Sequence, residues 1–330
     1  MWNPPSLPST LMRDSPTSPE EQQYHPIPRY HFEPIFQALS AVGSGFRFDD
    51  VDLVTNRNNL RKLWKWVEGG ARHSFRIDLD IIKDTLFMTR WEANDSTLRS
   101  GSHNPGYGSN FEKTCSTQKD GLRDSTDHHR VVRYALGPLE CVVRSEVDAY
   151  YMTSGESRSP ECISEEPQFH SVDHLTEDYK PTMVQHRGHE VPATTTLEIK
   201  SCQGRPSLER FMPQLWFSRT PSLMVGYHHK GTFTRTEKWD AGSNFSTWES
   251  RHQEDLRRLV GLIIELRRIV RATKAPCAVI YQKERKSKHT NSALKIYKRI
   301  GKMPVLPDSL IAQYWIRSLP SYSEREMAGL

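Results

Sequence analysis

Four carboxylates, a lysine and a glutamine fall in an order that suits metal-assisted cleavage of a phosphate ester or anhydride. Glu112 closes Gly108-Ser-Asn-Phe-Glu112. Glu146-Val-Asp148 ends one apolar run, Glu198-Ile-Lys200 ends another, and Gln214 follows in an apolar stretch. A strand alternates its faces, so Glu146 and Asp148 point one way, and so do Glu198 and Lys200. Carboxylate oxygens are hard ligands that suit Mg²⁺ or Mn²⁺. Such ions acidify a water, orient a phosphate and stabilise a departing oxygen. Either triplet alone is more often an exposed alternating strand, so the elements around them decide the reading.

Those elements are legible as hydrophobic periods. Residues 1–30 are rich in Pro, Ser and Glu and read as a disordered tail, with the ordered domain starting near Tyr30 or Phe46. Asp52 to Val67 reads as a helix through Leu53, Leu60, Leu63, Trp64 and Val67. Phe75 to Ile81 and Thr85 to Trp91 read as strands, and 93–110 as a polar loop. Residues 129–136 and 139–151 read as a hairpin turning at Gly137-Pro138. Residues 152–190 are a long polar insertion. Thr194 to Ile199 reads as a central strand, Ser207 to Arg219 as a helix and Leu223 to Tyr227 as a strand. Arg251 to Ala272 is the clearest helix, and Cys277 to Tyr281 the last strand. The fold class is α+β: a single domain over 31–330, with a mixed β-sheet flanked by helices.

Composition narrows the setting. Net charge is +5, from 45 basic and 40 acidic residues, a mild bias compatible with a polyanionic partner. The five cysteines are scattered, with no C-x-x-C pair, which speaks for a reducing compartment and against a cysteine-rich zinc site. No stretch approaches the roughly 20 apolar residues of a membrane span, and the N-terminus has no signal-like apolar region, so neither membrane insertion nor secretion is expected. The segment from Lys283 to Lys302 is basic: a solvated face, a phosphate track or a nuclear-import patch. His128-His129 and His228-His229 lack partners at ligand spacing and read as surface or hairpin histidines. No P-loop or G-x-G-x-x-G motif is present. Asp49-Asp50-Val-Asp52 lacks the second aspartate-rich helix of a prenyl-diphosphate synthase.

Glu-x-Lys beside an acidic strand is the pattern of PD-(D/E)xK nucleases. From Phe46 to Tyr281 the chain resembles the decapping exoribonucleases of the DXO type, as a divergent, fungal-like paralogue. Leu53-Val-Thr-Asn-Arg57-Asn-Asn-Leu-Arg is similar to the family's first motif, although Asn56 and Asn58 stand where Trp and Gly are usual. Gly108-Ser-Asn-Phe-Glu112 is similar to its Gly-Tyr-x-Phe-Glu motif, with Ser109 in place of the aromatic. Leu136 to Asp148 is similar to its Glu-x-Asp strand, and Thr196 to Lys200 to its Glu-x-Lys strand. Pro213-Gln214 through Pro221 to Gly226-Tyr is similar to its helix and following strand.

The resemblance implies a PD-(D/E)xK nuclease-like fold and a hydrolase of RNA 5′ ends: removal of incomplete or non-conventional caps, release of pyrophosphate from 5′-triphosphate RNA, or 5′→3′ digestion. It implies metal ligation by Glu112, Glu146, Asp148 and Glu198, with two Mg²⁺ or Mn²⁺ ions. It implies orientation of water and phosphate by Lys200 and Gln214, and contact with the RNA 5′ end by Arg57. The implied partners are an RNA 5′ end and a 5′→3′ exoribonuclease, with no membrane, in the nucleus or else the cytoplasm. Two other readings stay open: a non-catalytic RNA-binding scaffold that docks an exoribonuclease, and a DNA nuclease on the same fold.

Overall fold

The computed structural model describes residues 1–14, 29–91, 106–118, 121–122, 125, 127–151, 184–185, 187–188, 190–283, 293–301 and 304–315. Almost all of the 152–190 insertion, most of the 93–110 loop and residues 284–292 of the basic segment lie outside them.

Two mixed sheets carry the fold. The strands are β1 (Ser9–Thr10), β2 (Leu53–Asn56), β3 (Phe75–Ile82), β4 (Thr85–Arg90), β5 (His129–Leu136), β6 (Leu139–Glu146), β7 (Ala149–Tyr150), β8 (Thr196–Cys202), β9 (Ser222–His229), β10 (Thr232–Asp240), β11 (Cys277–Tyr281) and β12 (Leu294–Lys298). The larger sheet runs β12-β11-β3-β4-β2-β6-β5 and the smaller β1-β10-β9-β8-β7. Within them β2 is parallel to β4 and β6, and β8 to β9. The helices are α1 (Glu33–Ala41), α2 (Arg57–Val67), α3 (Gly108–Cys115), α4 (Met212–Ser218), α5 (Phe245–Arg251), α6 (Gln253–Thr273) and α7 (Asp308–Tyr314). The expectation of mixed β-structure flanked by helices holds, with two sheets in place of one.

Alternation on the strands sorts side chains between three apolar cores. Leu53, Leu79, Met88 and Val143 face α2, α4 and α6, where Trp64, Trp216 and Trp248 cluster. On the other face of the same sheet Val54, Phe87 and Val142 meet Phe36, Phe48 and Trp315. The smaller sheet buries Leu197, Ile199, Met224 and Phe233 against Tyr107 and Phe111 at and within α3.

Four sequence expectations need correction. Residues 1–14 are not a disordered tail: β1 pairs with β10, Trp2 N–H donates to Tyr150 O at 2.7 Å, and Leu7 and Leu11 pack on the third core. Residues 15–28 of that tail lie outside the described residues. The helix expected from Asp52 begins at Arg57, because Leu53-Val-Thr is buried on both faces as a central parallel strand. The second strand of the hairpin does not run to 151. It ends at Glu146, and the chain crosses to the other sheet as β7. Cys277–Tyr281 is not the last strand, since β12 pairs beside it.

Candidate active site

Each correction near the middle of the chain places a functional side chain. Because β2 stops at Asn56, Arg57 opens α2 at the C-terminal end of a parallel strand, where open sheets gather ligands. Asn59, fully buried, fastens that turn by donating to Met88 O at 2.8 Å. Because β6 gives way to β7 between Glu146 and Ala149, Asp148 sits at the step between the sheets. Its Oδ2 accepts from Ile199 N–H at 2.7 Å, so the carboxylate continues the β7–β8 pairing where the β7 backbone has stopped.

Glu198 is the hub. It is only 3% exposed and meets three donors. Arg57 Nη1 lies 2.9 Å from Oε2, Lys200 Nζ lies 2.5 Å from Oε1, and Gln214 Nε2 donates to the same Oε1. Lys200 also donates to Ile199 O at 2.8 Å and lies 3.7 Å from Asp148 Oδ2. Gln214 reaches in from α4, whose side chains are buried throughout.

Glu112 comes from α3, and two contacts fix that helix. Asp14 accepts from Ser109 N–H at 3.2 Å and Asn110 N–H at 2.9 Å, meeting the free donors of the first turn. Phe111 stacks on Phe233, centroids 4.2 Å apart, and lies directly over Gly226 of β9. A Cβ at 226 would fall 2.1 Å from the Phe111 ring, so only glycine admits this approach. Glu146 stands exposed at the end of β6, opposite His129.

Electrostatics divides the carboxylates. Burial opposes the charge on Glu198, but Lys200 and Arg57 outweigh it and hold the carboxyl at about 2. Burial, with Glu198 and Glu146 nearby, pushes Glu112 up to about 7, against the pull of Lys200. Asp148 is raised well above the carboxylate range by burial and by Glu198. Glu146 is raised by the protein mass around it, by Asp127 and by Glu198. Burial works against the Lys200 ammonium, yet Glu198 and Asp148 outweigh it and raise its pKa.

All seven residues singled out in the sequence therefore fall in one neighbourhood. Arg57, Glu198, Lys200, Asp148 and Gln214 are joined by direct contacts. Glu112 and Glu146 act on them through charge. Among the described residues no three Asp, Glu, His or Cys side chains converge as a ready-made metal site. The donor chemistry nonetheless suits a divalent cation: four carboxylates lie near enough to act on one another, and burial together with neighbouring carboxylates raises the pKa of three of them. Two neighbours of the site were missed in the sequence. Asp14, which caps α3, carried no signal. Arg61 carried one, since it sits four residues after Arg57 on the same helix.

No curated protein matches the chain. Among solved structures it is similar to S. pombe Rai1 in complex with 3′-FADP, at 12% identity and a TM-score of 0.56, covering 91% of this chain and 86% of that one. It is also similar to Candida albicans Rai1 in complex with pU5-Mn²⁺, at 10% identity and a TM-score of 0.51, covering 86% and 77%. The fold implied by the sequence resemblance is thus the fold observed. The model of a domain family of unknown function, DUF8563, matches residues 1–315. The chain belongs to the DUF8563 family, built on the fold of the Rai1 structures.

Proposed function

We propose that this protein is a metal-dependent hydrolase of RNA 5′ ends, acting on phosphoric anhydride or phosphodiester bonds. The observation that carries the reading is the Glu198 hub: a buried carboxylate shared by Arg57, Lys200 and Gln214, with Asp148 beside it, at the step between two sheets. A purely structural ion pair has no need of three further carboxylates with raised pKa around it. The similar C. albicans Rai1 structure holds pU5 and Mn²⁺, which supports an RNA 5′ end and a divalent cation as ligands here.

Glu112, Glu146, Asp148 and Glu198 would hold Mg²⁺ or Mn²⁺, which supplies Lewis-acid activation of water and phosphate when bound. The chain's own cations do the rest. Arg57 presents a fixed guanidinium suited to phosphate oxygens. Lys200, kept protonated by Glu198 and Asp148, neutralises charge on the reacting phosphate. Gln214 offers an amide that fixes the orientation of Glu198.

One observation favours the second reading, an RNA-binding scaffold: both oxygens of Glu198 are already taken by protein donors. Titration of Mn²⁺ by calorimetry, beside hydrolysis of 5′-triphosphate and capped RNA, separates the two. Hydrolysis by wild type that is lost in Glu198→Ala/Asp148→Ala supports the hydrolase. A folded protein that binds RNA but neither Mn²⁺ nor hydrolyses any 5′ end is the scaffold.

A further inference from the structure

Helix α2 turns two arginines toward the site, and only one is engaged. Arg57 is bonded to Glu198 at 2.9 Å. Arg61 follows at i+4, on the same helical face and about 6 Å further along the axis. It is partly buried, and the charges that act on it are Arg57, which repels it, and Glu198, which attracts it. Among the described residues it makes no hydrogen bond or ion pair, whereas Lys65, one turn on, is paired with Glu68.

A guanidinium carries five donors and no acceptor, and withdrawing it from water without a partner is unfavourable. A counter-charge to Glu198 does not account for it. Glu198 is already bonded by Arg57, Lys200 and Gln214, and Arg61 touches neither of its oxygens. The unfilled capacity lies beside a site proposed for phosphate, one helical turn beyond Arg57.

We infer that Arg61 binds a second anionic group of the substrate, one phosphate beyond the group held at Arg57 and Lys200. The inference rests on the proposed 5′-end reading and deepens it: the favoured ligand carries two phosphates on one 5′ end. The second phosphate comes either from the next link of the RNA chain or from a 5′-polyphosphate, and both present the same chemistry to a guanidinium.

Equilibrium binding of 5′-phosphouridine, 5′-phospho-UpU and uridine 5′-diphosphate, in Mn²⁺ and at several salt concentrations, tests this. Wild type should bind at least one two-phosphate ligand roughly tenfold or more tightly than the monophosphate, a margin expected of one charge-assisted contact. Arg61→Gln should abolish that margin and leave monophosphate binding unchanged. Its affinity for the two-phosphate ligand should also become less sensitive to salt, so the log K against log[salt] slope should be shallower than that of wild type. Arg61→Lys, which keeps the charge and most of the stem, should keep the slope and recover part of the affinity. Whichever two-phosphate ligand loses its margin identifies the source. An unchanged margin and slope in Arg61→Gln, with wild type binding normally, overturns the inference and leaves the 5′-end reading intact. Failure of folded wild type to bind any of the three ligands overturns both.

Discussion

Two carboxylates of one site should answer to amide substitution with opposite signs. Glu112 has its pKa lifted from 4.5 to about 7, chiefly by burial. A carboxyl whose folded pKa is raised contributes stability below its unfolded value and loses it as pH rises through the folded one. At about 1.4 kcal/mol per pH unit the full displacement is about 3 kcal/mol. Partial exposure and solvent screening bring that to about 1–2 kcal/mol. Glu112→Gln should therefore match wild type near pH 4.5 and be more stable by about 1–2 kcal/mol at pH 8. Glu198 is the reverse case, held from 4.5 down to about 2 by Lys200 and Arg57. Its stabilisation is present above pH 4.5 and lost only as pH falls through 2. Glu198→Gln should be less stable than wild type by about 3 kcal/mol at both pH 5 and pH 8, since it leaves buried Arg57 and Lys200 without their partner. Urea unfolding of the three proteins at both pH values, without divalent cations, reads both effects. A Glu112→Gln protein less stable than wild type at pH 8, or a gap that does not widen from pH 5 to pH 8, would refute the assignment of Glu112 to a crowded anionic locus.

Gly226→Ala should cost about 1–3 kcal/mol by overpacking, because the Phe111 ring is held on its far side by Phe233. The same change should weaken Mn²⁺ binding by shifting Glu112, and thermal melting with Mn²⁺ titration checks both. Asp14→Ala removes the cap of α3 and should cost about 1 kcal/mol, with faster amide exchange confined to 108–115. Lys200→Met should abolish RNA hydrolysis yet tighten Mn²⁺ binding in calorimetry, since it removes one of the two donors on Glu198 Oε1 and a positive charge; unchanged or weaker Mn²⁺ binding would count against competition for that oxygen. Mn²⁺ binding near pH 6.5 should release protons from the carboxyls whose pKa is raised, Glu112 among them; calorimetry in two buffers of different ionisation enthalpy measures it.

The site was more legible than the fold because its chemistry is local. Glu198 and Lys200 share a face by strand alternation, and their direct contact needs nothing from the rest of the chain. Asp148 lies on a strand that the sequence reading draws too long. The break after Glu146 leaves no mark in the apolar pattern, since Val147 and Ala149 are both buried on either side of the step. Residues 1–14 were misread for a different reason. Their prolines and serines are the composition of disorder, and their order comes from pairing with β10, more than 200 residues away. Leu53 fell into the helical stripe by spacing, while Leu53-Val-Thr was a buried strand whose β-branched residues were the better guide. Arg61 was in view at helical spacing, yet on sequence alone it cannot be told from the solvated basic residues beside it.

The charge balance bears on how the proposed cation would bind. Glu112, Glu146, Asp148 and Glu198 bring four carboxylates; Arg57, Arg61 and Lys200 bring three cations. Glu112, raised to about 7, and Asp148, raised well above the usual carboxylate range, both hold a proton more readily than a free carboxyl, which offsets the shortage of cations at mildly acidic pH. Lys200 and Gln214 meanwhile occupy the Glu198 oxygen that a metal would need. On the proposed reading, entry of a divalent cation would be coupled to two events in the protein: loss of protons from the raised carboxyls and release of Lys200 from Glu198. The first would make affinity rise with pH. The second would turn an ammonium from an internal partner into one free to meet a phosphate, so that metal and substrate would bind better together than apart.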